Sequence, residues 1–366
     1  MHRLRVPSAG GDYDVVIGSG LLEDSGALVA TAIASETASI LLLYDEALVP
    51  FAYPALAEQG LRKVFARVVS HPVPSGEGSK SLAGAEALYH VCIRAGLDRE
   101  AVIVALGGGV TGDLAGFVAA TFMRGIRFIQ MPTTVLAHDS SIGGKVAINL
   151  PPAGKNLVGA FHPPRLVLYD VATLATLPRS ERSGGLAEAV KHGVIRDPSL
   201  FVWIEQHADE LLAGETAATA ELLARSCQVK VDVVGVDERE SGLRAILNFG
   251  HTVGHAIEAL SEGEWTHGAC VAIGMMCETR IADVRGVLVD RSLPSRLREL
   301  LERLLLPVSV PSRFVGGPPS DALIELMRHD KKAVGRTLSF VLPRALGDVV
   351  QDRDVDESVV RASLPD

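Results

Sequence analysis

The 366-residue chain predicts an α/β nucleotide-binding domain over residues 1–180 followed by a mainly α-helical domain over residues 181–366. Three observations carry this expectation. Short apolar runs alternate with helical patterns through the first half. One of those runs leads into a glycine-rich turn that opens a helix. From about residue 180 onward the glycines thin out and long amphipathic patterns take over. A chain of this length that is 48% hydrophobic can also fill two cores.

In chain order, SILLLYD (39–45) reads as a buried strand ending in Asp45, residues 82–95 as a helix, AVIVAL (101–106) as a second strand and IRFIQMP (126–132) as a third. Strands separated by helices pair in parallel, as in nucleotide-binding folds. The second half reads as helices over 185–195, 199–213, 215–235, 250–261, 268–286, 291–305 and 320–329. RTLSFVLPRALG (336–347) breaks that trend with a strand-like segment. There is no internal repeat and no low-complexity tract.

Composition excludes several function classes. A net charge of −9 argues against nucleic acid, whose phosphates are bound by broad basic surfaces. No apolar run reaches the ~18 residues a membrane span requires. The start, Met1-His2-Arg3-Leu4-Arg5-Val6, does not read as a signal peptide, which makes the cytoplasm the expected location. Cys92, Cys227, Cys270 and Cys277 form no C-x-x-C pair and read as free thiols in a reducing compartment. Arg124, Lys145, Lys155, Lys191, Lys230, Arg244, Lys331 and Lys332 lie in glycine-rich or strongly patterned segments. Singly each reads as a surface cation. Together, in an acidic protein, they suggest a pocket for a small anion.

Five stretches carry chemistry. Gly107-Gly108-Gly109-Val110-Thr111-Gly112-Asp113 follows a strand and opens a helix, where a pyrophosphate can approach backbone N–H groups and the positive helix end. No acidic residue ends the next strand, where Gln130 and Met131 stand, so Asp45 is the candidate for the ribose. A purely structural glycine turn is the alternative. PTTVLAHDSSIGGKVAINLPPAGKN (132–156) mixes hydroxyls, amides and lysines suited to a phosphate or polyhydroxylated ligand. Adjacent residues seldom face each other, so His138 and Asp139 do not read as a base and its orienter.

In SGGLAEAVKHGVIRD (183–197), Glu188 shares a helix face with Lys191 and His192, as a surface ion pair or a metal ligand. NFGHTVGH (248–255) places His251 and His255 one turn apart, but Thr252 stands where H-E-x-x-H would need a glutamate. EWTHGACVAIGMM (264–276) adds His267 at the start of an apolar helix. Three histidines near glycines that permit close packing favour a metal centre over isolated structural histidines, and two histidines with one carboxylate form a common catalytic zinc set.

These motifs, with SGEGSKS, GGGVTGDLAGFVAATFMRG, GKNLVGAFHPP, GGLAEAVKHG, LNFGHTVGHAIE, HGACVAIGM and DKKAVGRTLSFVLP, make the chain resemble the 3-dehydroquinate synthase family of sugar-phosphate cyclases. The resemblance implies one Zn2+ or Co2+ held by Glu188, His251 and His267, with His255 near the substrate. It implies catalytic roles for Lys145, Lys191, Lys230, Arg244, Asn248 and His255. Substrate contacts are implied at Arg124, Asp139, Lys155, Asn156 and Lys332, with Arg124 reaching across a homodimer interface and Lys331 as the alternative to Lys332. NAD contacts are implied at Asp45, Glu77, Lys80, Gly108, Gly109, Val110, Asp113, Thr133, Thr134, Asp139, Lys145, Lys155, Thr173, Thr176, Leu177 and Glu181. Three positions depart from the family pattern: Ala47 replaces a frequent asparagine, His192 a frequent tyrosine, and one residue is missing around His138.

The implied substrate is 3-deoxy-D-arabino-heptulosonate 7-phosphate, whose carboxylate and phosphate account for a cationic pocket in an acidic protein. The implied reaction oxidises the C5 hydroxyl with NAD, eliminates phosphate, returns the hydride and closes the ring by an intramolecular aldol step. Substrate phosphate can accept the C6 proton, so positioning supplies much of the advantage. Another cyclase of valiolone or inosose type would differ where Arg244, Asn248, Lys230 and Lys155 read the substrate. A metal-dependent polyol dehydrogenase would release NADH with product, and an inactive NAD-binding regulatory module would be expected to lose metal ligands.

Overall fold

The computed structural model describes residues 1–151, 154–240, 242–261, 263–330 and 337–364, and it divides into two compact units. The first comprises Met1–Leu177 with Thr219–Glu238, the second Pro178–Ala218 with Arg239–Asp366. A single cut near residue 180 therefore misplaces one segment. Thr219–Glu238 follows two helices of the second unit in sequence and packs with the first.

The first unit runs β1 (His2–Val6), β2 (Tyr13–Gly18), α1 (Ser25–Ile33), β3 (Ile40–Asp45), α2 (Tyr53–Arg62), β4 (Val68–Val73), α3 (Leu82–Arg94), β5 (Val102–Gly107), α4 (Gly109–Thr121) and β6 (Arg127–Pro132), then α5 (Ala137–Ser140), β7 (Lys145–Leu150), β8 (Gly154–Phe161) and β9 (Leu166–Asp170). Seven strands form one sheet in the order β1-β2-β9-β6-β5-β3-β4, parallel except for the β1–β2 pair. Alternate side chains serve two cores: Leu41, Leu43 and Ile103 pack with α3 and α4, while Ile40, Leu42, Val102 and Val104 pack with α1 and α2. Burial on both faces explains why β5 reads as a continuous apolar run. Pro72 lies in β4, the edge strand, where a missing N–H costs no central ladder bond. The hydroxyl- and amide-rich stretch after β6 contains the β7–β8 antiparallel hairpin, which polarity disguised.

The second unit holds α6 (Arg179–Ile195), α7 (Pro198–Ala213), α9 (His251–Leu260), α10 (His267–Val284), α11 (Leu293–Arg303), α12 (Gly317–Asp330), the β10 (Thr337–Ala345)–β11 (Asp348–Asp356) hairpin and α13 (Glu357–Ser363); α8 (Thr216–Val236) lies almost wholly in the first. Local signals set the ends of α7: Asp197 accepts the N–H groups of Ser199 and Leu200, Pro198 begins the helix and left-handed Gly214 ends it. Leu293, Leu297, Leu300 and Leu301 form the buried stripe of α11. Residues 182–195 of α6 are all buried, which makes it a central helix. No helix among the described residues is long and apolar enough to cross a membrane. All four cysteines are free and buried.

Candidate functional site

Strand order creates the nucleotide-binding candidate. From β3 the chain moves outward to β4, returns to the other side of β3 as β5, and continues away through β6. The reversal lies between β3 and β5, and in open α/β sheets the crevice at the carboxyl ends of such strands receives ligands. Asp45 ends β3, and the glycine turn ends β5 beside it. Thr111 Oγ1 donates to Asp45 Oδ2 at 3.4 Å, and Ser75 Oγ donates to Asp45 Oδ1. Gly107, Gly108 and Gly109 avoid positive φ; space demands them, since a Cβ at Gly107 would lie 2.7 Å from Thr111 and one at Gly108 3.1 Å from Thr134. Gly108 is the N-cap of α4 and brings no side chain to that helix end, leaving it accessible to an anion.

Around this face the structure joins residues that the sequence only suggested. Lys80 Nζ lies 2.5 Å from both Asp113 Oδ2 and Asn156 Oδ1. Burial pushes the Asp113 carboxyl above its ordinary range, against the pull of Lys80. Asn149, which the sequence reading missed, donates to Glu77 Oε2 at 2.6 Å and accepts the Asn156 N–H at 3.0 Å. Lys230 Nζ pairs with Asp139 Oδ2 at 2.8 Å and also donates to the Asp139 carbonyl. One turn earlier on α8, Ser226 bonds His138 Nε2 at 2.9 Å, so the neighbouring residues His138 and Asp139 each engage one position of that helix.

Of the remaining first-unit candidates, Thr133, Thr134 and Val110 adjoin the glycine turn. Thr133 bonds back to the Gly107 carbonyl through its N–H at 3.0 Å, and Thr134 Oγ1 accepts the Ala137 N–H at 3.3 Å. Val110 lies in the first turn of α4. Thr173 Oγ1 donates to the Asp170 carbonyl at 2.8 Å and Thr176 Oγ1 to the Thr173 carbonyl at 3.3 Å, just before Leu177. Lys145 starts β7 and Lys155 lies in β8, both exposed. Arg124 is exposed at φ 70° beside Met123 at φ 50°. Lys332 and Lys331 lie outside the described residues.

The second unit contains the metal-binding candidate. Glu188 Oε1 lies 3.4 Å from Nε2 of both His251 and His267, and the donor atoms of the three residues fall within 4.8 Å of one another. Each histidine is tied back through Nδ1: His251 to the Phe249 carbonyl at 3.0 Å, His267 to Glu258 Oε2 at 2.8 Å. Such outer contacts select the tautomer that offers Nε2 to a metal. Lys191 pairs with Glu188 from the next turn. Burial pushes His251 down to about 4, against the pull of Glu188. Burial acts likewise on His267, but Glu188 and Glu258 outweigh it and raise that ring to about 10. Although Glu188 is equally distant from both, Glu258 favours a proton on His267 and Lys191 opposes one on His251.

Glycine contacts bring the donors together. A Cβ at Gly268 would lie 1.9 Å from the Gly184 carbonyl, and one at Gly274 1.9 Å from the Gly250 carbonyl. Gly268 follows His267, Gly184 precedes Glu188 by one turn and Gly250 precedes His251, so each contact fixes a donor. Thr266 caps α10 by accepting the Ala269 N–H at 3.4 Å. His255 lies outside the donor set, with its ring centroid 5.2 Å from that of His251. Arg244 is buried, and Asn248 Nδ2 donates to Glu240 Oε1 at 2.8 Å. Glu181 lies exposed in the first turn of α6. Sequence reasoning missed Glu258, although His251, His255 and Glu258 lie on one face of α9 at i, i+4 and i+7.

Family models for the N-terminal and C-terminal parts of 3-dehydroquinate synthase match residues 70–183 and 185–333. The chain belongs to the 3-dehydroquinate synthase family. It is 48% identical to the 3-dehydroquinate synthase of Symbiobacterium thermophilum over 96% of this chain and 97% of that one. It is 43% identical to that of Desulforamulus reducens, over 100% and 99%. Among solved structures, a 2-deoxy-scyllo-inosose synthase complexed with carbaglucose-6-phosphate, NAD+ and Co2+ superposes with a TM-score of 0.88 at 26% identity, covering 100% of this chain and 99% of that one. A 2-epi-5-epi-valiolone synthase from Streptomyces hygroscopicus with NAD+ and Zn2+ gives 0.83 at 28%, covering 100% and 98%. A probable glycerol dehydrogenase from Sinorhizobium meliloti shares the fold alone, with a TM-score of 0.63 at 16% identity over 96% and 94% of the two chains. The dehydroquinate synthase-like fold expected from the motifs is thus the fold observed.

Proposed function

We propose that the protein is a 3-dehydroquinate synthase, a phosphate-eliminating lyase that converts 3-deoxy-D-arabino-heptulosonate 7-phosphate to 3-dehydroquinate with NAD and one Zn2+ or Co2+. The observation that carries this reading, within a chain of this family, is the convergence of Glu188, His251 and His267 on one point. One carboxylate oxygen and two Nε2 atoms form a donor set suited to either ion. Bound there, the ion would polarise a substrate hydroxyl and lower its pKa, while NAD would take and return one hydride.

The chain's own side chains would do the rest by binding and orienting. Asp45 and the start of α4 would hold ribose and pyrophosphate. Lys191, Lys230 and Arg244 would bind the substrate's anionic groups, and Asn248 and His255 would orient its hydroxyls. Lys230 reaches that role already fixed by Asp139. The same reading includes a cytoplasmic homodimer in which exposed Arg124 serves the neighbouring protomer. The dehydroquinate synthases are more similar in sequence than the inosose- and valiolone-forming cyclases, which disfavours those products.

The test is an assay with the heptulosonate phosphate, catalytic NAD and Zn2+ or Co2+. Phosphate should be released with no steady accumulation of NADH. Stoichiometric NADH would instead indicate a polyol dehydrogenase, and activity indifferent to chelators would remove the metal from the scheme.

A further inference from the structure

A second buried acid lies behind the metal-binding candidate. Glu278, on α10, is fully buried, and its carboxylate accepts the backbone N–H of Gly250 at 2.7 Å through Oε2 and those of Thr252 at 3.2 Å and Val253 at 3.4 Å through Oε1. Helix α9 needs this. Its N-cap, Gly250 at φ 78°, has no side chain to satisfy the first-turn N–H groups, which must find partners when buried. Gly274, one turn before Glu278, packs against the Gly250 carbonyl, so a single ridge of α10 grips the start of α9. The gripped segment carries His251 and also the Phe249 carbonyl that fixes its ring.

We propose that Glu278 is a positioning residue of the metal centre, holding the start of α9 so that His251 presents Nε2 beside Glu188. The geometry suits an ionised carboxylate, which only accepts hydrogen bonds; a glutamine would turn an N–H2 group toward N–H donors. This inference rests on the reading of His251 as a metal ligand.

Glu278→Gln and the charge-retaining Glu278→Asp are compared with wild type and with His251→Ala by competition for Zn2+ against a chromophoric chelator and by the visible spectrum of the Co2+-loaded protein. Glu278→Gln should bind Zn2+ about 10–100-fold more weakly and shift the Co2+ bands, with Glu278→Asp intermediate. Thr279→Val, which removes a buried hydroxyl bond to the Met275 carbonyl of 2.7 Å, should lower thermal stability and leave the Co2+ spectrum unchanged. Wild-type affinity and spectrum in both Glu278 variants would overturn the proposal, and so would their failure to fold with saturating Zn2+, because a residue acting through His251 leaves the rest of the unit intact. If His251→Ala itself keeps full Zn2+ affinity, the ligand reading fails instead.

Discussion

His251 and His255 occupy the same face of α9, and among the described residues the donor set around Glu188 is completed by His251 and His267. Four-residue spacing allows both to converge; the Phe249 carbonyl holds Nδ1 of His251 at 3.0 Å and leaves its Nε2 facing Glu188. Glu258 is the corresponding grip on His267, and Glu258→Ala should weaken Zn2+ binding about 10-fold or more, measured by chelator competition, because the freed ring loses its tautomer and its orientation. Unchanged affinity would mean that packing alone holds the ring. Away from the centre, burial lowers the pKa of His71 and of His162, each from 6.5. A histidine depressed in the folded state leaves stability intact above 6.5 and erodes it as pH falls from there toward the folded value, since the unfolded chain takes up the proton first. Between about pH 7.5 and about pH 5.5 this erosion opposes the gain from His267, whose raised pKa acts the other way, so the comparison is with wild type: His162→Gln should keep more of its urea midpoint as pH falls, and an identical slope would remove His162 as a contributor.

At the scale of elements, most helices and the central strands were legible because burial patterns are local. Strands 39–45, 101–106 and 126–132 appear within a residue of their observed positions, and the helices of the second half appear nearly in full except α13, while the interior strand β9 went unread. Helix α6 was legible only in its later part, since Gly184 and Gly185 argue against a helix in isolation. Tertiary contact reverses that penalty: Gly184 lets α10 approach through Gly268. Gly268→Ala should therefore destabilise the protein by about 1–3 kcal/mol through overpacking and weaken metal binding as α6 and α10 separate, read by urea unfolding and Zn2+ titration. Stability loss with normal metal affinity would uncouple that contact from the donors.

The whole chain divides into units whose boundaries sequence order does not respect. Thr219–Glu238 belongs with the first unit and brings buried Ser226 to buried His138 and Lys230 to Asp139. A fragment ending at residue 180 lacks that helix, exposing apolar surface and the partners of those contacts. It should bind a hydrophobic dye and lack a cooperative thermal transition, whereas a sharp transition would show that the segment is dispensable. The complete protein should melt at a lower temperature after chelation, because a ligand at ~100 times its Kd adds about 2.7 kcal/mol to the folded state. A chelator-independent melting temperature would count against a bound ion.

The sequence by itself determined the residue types, the helical and strand periods, the glycine turn after β5 and the family, because those depend on local spacing and on motifs. Tertiary structure alone decided which distant groups meet. Asp45 stands beside the glycine turn because β3 and β5 are neighbours in the sheet, and Lys230 meets Asp139 because α8 returns to the first unit. Glu188, His251 and His267 converge because helices remote in the chain pack through glycines, and Glu278 caps a helix that cannot cap itself. Periodicity fixes the face a residue occupies along its own axis; close packing between axes fixes what that face touches.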